Sequence, residues 1–208
     1  MKVTEAYKEW SRIYDSNDNL TRDLDQSVLP QILTDIKNKY IVEAGCGTGK
    51  NTVWFAEQAH KVVAFDLSDE MLELARQKVS LKNVEFIRHD ILKRWPVHNS
   101  VADIVSINLV LEHIPVIDFP LREAYRVLNK GGILSVCELH PQKHIAGSQA
   151  KYFDKTTNTE MKVESYLHTR EEFTDSGKRA GFTETKIQEW YDAINKEIPR
   201  LISLLLLK

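Results

Sequence analysis

Three observations predict an α/β fold built on a doubly wound, largely parallel sheet. From Tyr40 onward, short apolar runs alternate with helical patterns, the sequence mark of βαβ crossovers. A glycine-rich turn, GCGTG at 45–49, lies between the first apolar run and the helical stretch after it, where such folds bring backbone close to a ligand. The 208 residues, 42% hydrophobic and 28% charged, suit one domain with a full core better than two independent ones.

Taken in order, YIVEA (40–44), KVVAFD (61–66), VEFIRH (84–89), DIVSIN (103–108) and GILSVCE (132–138) read as strands. Helical patterns fall near 50–59, 69–80 and 118–129. Ser68 is placed to cap DEMLELARQKV, with Asp69 and Glu70 in a first turn that favours negative charge. REAYRVLNKGG is expected to stop at its glycine pair. Two helices, 3–14 and 20–37, precede Tyr40, and the first would carry Tyr7, Trp10 and Tyr14 on one face. A polar segment follows Glu138 up to residue 169, then a helix, TREEFTDSGKRAG. FTETKIQEWY and RLISLLLL read as a closing strand pair. The second is apolar on both faces, which suits a strand inside a sheet. One domain, 1–208, is expected: a helical lid (1–38), a ligand-binding core (39–138), and an insert with the closing strands (139–208).

Composition narrows the function. The formal net charge is -2, without the basic excess by which proteins hold nucleic-acid phosphates. Cys46 and Cys137 form no disulfide framework and are expected free and buried. The amino terminus lacks the apolar stretch of a signal peptide, and LISLLLL is too short to cross a bilayer. The expectation is a cytoplasmic protein, monomeric or homodimeric, with no membrane partner.

The glycine loop admits three readings. A Walker phosphate loop needs GxxxxGK followed by Ser or Thr. Counting back from Gly49-Lys50, the first glycine would stand where Ala44 does, and Asn51 replaces the hydroxyl. A dinucleotide site prefers GxGxxG with its helix N-terminus facing a pyrophosphate. Here the third glycine comes one residue early, and Glu43 would face a doubly charged anion. The third reading is a ligand carrying an ammonium and a sulfonium, which an acidic Glu43 suits.

Glu43-Ala-Gly-Cys-Gly-Thr-Gly49 closely resembles the E/D-x-G-x-G-x-G motif of class I S-adenosylmethionine-dependent methyltransferases. The resemblance continues in order through Asp66, HDIL (89–92), NLVLEHI (108–114) and RVLNKGGIL (126–134). It implies a seven-stranded mixed sheet of order 3-2-1-4-5-7-6 with the last strand antiparallel, and S-adenosylmethionine as methyl donor. By the same resemblance Glu43, Gly45, Cys46 and Gly47 form the cofactor loop, and Asp66 takes both ribose hydroxyls. Leu67 and Met71 sandwich the adenine, Asp90 accepts from its amine, and the Ile91 backbone meets the ring edge. Asn108 belongs to the motif after the fourth strand, and His113 is a structural partner near the loop. Tyr14 and Arg22, near the connection between the N-terminal helices, would close over the methionine end. Each also has a plainer reading: Asp66 as a helix cap, Asp90 as a turn residue, Met71 as core.

In related enzymes the acceptor is recognised by the N-terminal helices and the insert after the fifth strand. His140, just past that strand, is the candidate proton acceptor. HxxxH at 140–144 invites a metal reading, but Pro141 argues against a regular helix and no third ligand stands out, so no metal is expected. The function expected is methyl transfer to oxygen, nitrogen or carbon of a small molecule. Alternatives are a macromolecular or quinone-type lipid acceptor, or a non-catalytic S-adenosylmethionine-binding partner protein.

Overall fold

A computed structural model describes residues 11, 14–15, 19–154 and 158–208. The expected helix at 3–14, with Tyr7 and Trp10, lies almost wholly outside them. The described chain runs α1 (Leu20–Ile32), β1 (Tyr40–Ala44), α2 (Lys50–Gln58), β2 (Lys61–Asp66), α3 (Asp69–Lys78), β3 (Val84–Arg88) and β4 (Ala102–Asn108). There follow a 3₁₀ turn (Leu111–His113), α4 (Asp118–Val127), β5 (Leu128–Leu139), α5 (Pro141–Ile145), β6 (Lys151–Asp154) and β7 (Thr159–Lys162). The last elements are α6 (Arg170–Ala180), β8 (Thr183–Trp190) and β9 (Leu201–Leu207).

The main sheet has seven strands in the order β3-β2-β1-β4-β5-β9-β8. β1 to β5 pair in parallel, and β9 runs antiparallel to both β5 and β8. Because β6 and β7 form a separate hairpin, β8 and β9 are the sixth and seventh strands of this sheet. The order is therefore the one implied by the resemblance, including the insertion of the last strand.

Residues alternate between two cores, one on each face. Val42, Ala44, Val105, Ile107, Ile202, Leu204 and Leu206 pack with Leu121, Ala124, Val127 and Phe173 of α4 and α6. Ile41, Val62, Ala64, Ile104 and Leu201 pack with Leu29, Ile32, Phe55 and Leu72 of α1, α2 and α3. Both faces being covered, the strands are apolar on both sides. Among the described residues, no helix is long and apolar enough to cross a membrane. Cys46 and Cys137 are free and buried.

Several local expectations change. The glycine pair does not end α4: Leu128 turns extended (φ -68°, ψ 144°), and the strand begins there with Leu128 opposite Ala102. Gly131 (φ +79°) and Gly132 sit in the register irregularity between Ala102 and Ile104. The Lys208 ammonium instead donates to the Tyr125 and Leu128 carbonyls (2.7 and 2.8 Å), meeting orphan acceptors at the helix end. α1 closes at Ile32, two residues after Pro30, rather than near residue 37. Pro141 begins a short helix instead of preventing one, because it occupies the first helical position, where its missing N–H costs nothing. The hairpin β6–β7 falls in the segment read only as polar.

Candidate functional site

Parallel strands present their carboxyl ends on one edge, and a doubly wound sheet opens a crevice where the strand order reverses. Here that point lies between β1 and β4. A cavity of about 520 Å³ occupies it, walled by the segments after β1, β2, β3 and β4 and by α1, a size usual for small-molecule sites. Tyr14, Arg22, Glu43, Gly45, Cys46, Gly47, Asp66, Leu67, Asp90, Ile91 and Asn108 all line it. Met71 and His140 do not.

The glycine loop is held chiefly by the end of β2. Gly45 and Cys46 donate to the Phe65 carbonyl (2.8 and 3.1 Å), and Gly49 donates to that of Cys46 (2.9 Å). The Gly47 N–H donates to Asp66 Oδ2 (2.9 Å) and the Ser68 N–H to Asp66 Oδ1 (2.9 Å). Most of these N–H groups are spent on the end of β2, which leaves a poor cradle for pyrophosphate. Gly45 (φ +80°) has a second constraint: a Cβ there would stand 2.3 Å from Val110 Cγ2. Asp66 thus caps the turn, as its plainer reading holds, and also faces the cavity.

Carboxyls dominate the floor. Glu43 Oε2 accepts from Thr52 Oγ1 (2.5 Å), tying β1 to α2. Burial pushes Glu43 up to about 8, against the Thr52 bond, with Asp25 and Asp66 adding to the rise. Asp25, on α1, accepts from Asn108 (2.6 Å) and Asn51 (2.9 Å), and Asn108 accepts from Ser106 (2.6 Å). Burial raises Asp25 and Asp66 as well. Buried acids clustered so disfavour one another's ionisation, and a cationic ligand among them would reverse that.

Over this floor the chain before α1 folds back. The Arg22 guanidinium donates to the Tyr14 carbonyl and lies 4.0 Å from the Tyr14 ring centre, a cation–π distance. Burial pushes the Tyr14 phenol up to about 12. Asp15 accepts from Thr48 of the glycine loop and from Lys78 of α3 (2.8 Å each). Tyr14 and Arg22 are therefore brought to the cavity wall. At the opposite wall, Asp90 accepts from the Leu92 N–H (2.9 Å) while its side chain lines the cavity.

Met71 is 1% exposed and belongs to the core, with its N–H capped by Ser68 (3.2 Å). His140 is turned away: Nδ1 accepts from Gln142 N–H (3.2 Å), capping α5, and Nε2 stands 3.4 Å from Glu189 on β8. His113 lines the cavity and bonds through Nδ1 to the Glu164 carbonyl (2.8 Å). Among the described residues, no group of three His, Cys, Asp or Glu side chains is placed to hold a metal ion.

Asp25 carried no sequence signal, and Glu138 only its place near the end of the fifth strand. Asp25 reaches Asn108 across 83 residues of chain. Glu138, next to last in β5, accepts from the Val110 and Leu111 amides (2.9 and 2.8 Å) and fixes the loop that closes the cavity. Burial, and then the charge of Glu112, pushes Glu138 up to about 8. A carboxyl whose folded pKa is raised contributes stability that is present below its unfolded value near 4.3 and lost as pH rises through the folded value. Glu138→Gln keeps an amide oxygen and cannot ionise. Its melting temperature, compared with wild type, should therefore shift in the variant's favour between pH 5 and 8. A constant difference across that range would show that Glu138 ionises normally.

A glycine loop bonded to the end of β2, acids beneath it and a carboxylate ending β2 suit a cationic ligand, on a class I methyltransferase fold. Residues 42–136 match the family described as methyltransferase domain, and the chain is an S-adenosylmethionine-dependent methyltransferase. It is 29% identical to an uncharacterized methyltransferase of Emericella nidulans over 219 residues, 88% of this chain and 76% of the relative. It is 26% identical to a malonyl-[acyl-carrier protein] O-methyltransferase of Hamiltonella defensa over 64% of this chain, and spans half the length of that relative. The crystal structure of an S-adenosylmethionine-dependent methyltransferase from Mesorhizobium loti superposes with a TM-score of 0.77 at 18% identity, covering 91% of this chain and all of the other.

Proposed function

We propose that this methyltransferase transfers the methyl group to oxygen, nitrogen or carbon of a small-molecule acceptor, holding the donor in the 520 Å³ cavity. The observation that carries the donor assignment is Asp66. It ends β2, faces the cavity, and offers a carboxylate to two vicinal ribose hydroxyls. Glu43 and Asp25 supply the negative surroundings for a sulfonium and an ammonium, and Arg22 can take the donor's carboxylate. Leu67 and Ile91 flank the adenine, and Asp90 accepts from its amine. The bound donor supplies an electrophilic methyl, so the chain's task is chiefly to hold the acceptor atom in line. Residues up to 38 act as lid, 39–138 as donor-binding core and 139–208 as acceptor side of one domain.

Support for a small acceptor comes from the Tyr14–Arg22 bridge and the 146–150 loop, which narrow the approach. A second reading, an acceptor carried on a protein, is favoured by the malonyl-[acyl-carrier protein] O-methyltransferase relative. Incubation with methyl-tritiated donor and cell lysate, followed by ultrafiltration, separates the two. Label in the filtrate supports the small acceptor. Label retained with protein and absent from the filtrate supports the carrier.

A further inference from the structure

Beside the donor cavity lies a second, of about 380 Å³, which the donor site does not use. The two share Tyr14, Arg22 and Leu109 as a common wall. Leu109 holds a left-handed backbone (φ +55°), a conformation uncommon for a branched residue and typical of functional turns. The kink leads straight into the 3₁₀ turn that carries Glu112. Glu112 lines the second cavity and is 9% exposed; its carboxyl takes the Ala150 N–H, while Oε2, closed off from water, has no hydrogen-bond partner among the described residues. A buried carboxyl oxygen left so is costly unless something else occupies it. The rest of the turn is fully engaged: Glu138 takes its amides, and His168 Nε2 bonds the Leu111 and Ile114 carbonyls (3.1 and 2.8 Å). The turn is thus rigidly mounted, with one unused acceptor.

We propose that the second cavity is the acceptor site and takes a small molecule with a protic nucleophile, a hydroxyl or an amine, whose proton passes to Glu112. The inference rests on the methyltransferase reading above and deepens it. The acceptor's oxygen or nitrogen lone pair forms the bond to the methyl carbon. The carbon–sulfur pair returns to sulfur, which leaves as a neutral thioether. The acceptor's proton ends on the Glu112 carboxylate and is then lost to water, so charge and atoms balance. His140, capped against Gln142 and facing Glu189, takes no part.

Burial pushes Glu112 up to about 7, with the Ala150 N–H opposing. Its surroundings are mixed. Glu138 comes from β5, Tyr14 from before α1, Arg22 from α1 itself, His144 from α5, Lys151 from β6, Tyr166 and His168 from the segment before α6, and Arg200 from before β9. The Arg200 charge is already paired with buried Asp192. A carboxyl in that range is deprotonated often enough to accept a proton and basic enough to hold it.

The test uses the full chain, Glu112→Gln and Glu112→Asp. Carbon-13 NMR of carboxyl-labelled glutamate should show one resonance titrating near pH 7 that Glu112→Gln lacks. Transfer of tritiated methyl is then followed to catechol, tyramine and 4-hydroxybenzoate, with a small-molecule lysate filtrate added. Wild-type turnover should rise with pH through that same titration. Glu112→Gln should lose turnover by roughly a hundredfold and lose the limb, Glu112→Asp should retain part of both, and donor affinity should hold in each. A fully active Glu112→Gln, or a Glu112 carboxyl titrating in the ordinary range, overturns the inference. So does a wild type that binds donor yet labels only protein or nothing, which leaves the donor site standing. Failure to bind donor at all would instead strike the reading beneath it.

Discussion

Deleting Leu201–Lys208 leaves a chain with no cooperative melt, although termini ordinarily fray and tolerate loss. β9 lies between β5 and β8 and pairs with both along its whole length. Leu201, Ile202, Leu204 and Leu206 are each at most 2% exposed, and they feed both cores. Losing one such side chain costs about 2–5 kcal/mol, and four together match or exceed the roughly 5–15 kcal/mol that holds a domain folded. The deletion also strips β8 of its partner strand among the described residues and removes the Lys208 cap on α4. Circular dichroism on heating is the check. A sharp transition near the wild-type temperature would mean that β9 does not sit where the sheet has it.

Asp66→Ala should weaken donor binding by roughly ten- to a hundredfold. Hydrogen bonds to a charged acceptor contribute about 1.5–3 kcal/mol, and each 1.4 kcal/mol is a factor of ten. On the proposed reading the residue has two duties, since the Gly47 and Ser68 amides also rest on it. Alanine therefore lowers the melting temperature as well. Asp66→Asn keeps one oxygen for the loop and loses the charge, so its folding should recover more than its affinity does. Calorimetry on both variants reads the two duties apart. Unchanged affinity in folded Asp66→Ala would remove the residue from the donor site.

Much of this was legible because it is written in patterns. Strands buried on both faces read as unbroken apolar runs, and LISLLLL announced its place inside the sheet by being apolar on alternate and intervening positions alike. The glycine loop and Asp66 are local, each next to the strand end that positions it. What depends on long-range burial was not legible. Glu112 and Glu138 are ordinary acids in the sequence, and only packing isolates them from water. His140 stood at the right strand end, but its ring direction is set by Gln142 and Glu189. The β6–β7 hairpin is short, and TEMK is mostly exposed, so no alternation betrays it. The glycine pair 131–132 was a true signal for irregular backbone, assigned to a helix end when a strand irregularity used it.

The central claim, that the cavity at the β1–β4 switch point holds S-adenosylmethionine, is tested most directly by titration calorimetry of wild-type protein with S-adenosylhomocysteine. The account predicts one site per chain, with no heat from NADH and no competition by it. NADH binding, or no binding of S-adenosylhomocysteine to folded protein, would contradict it.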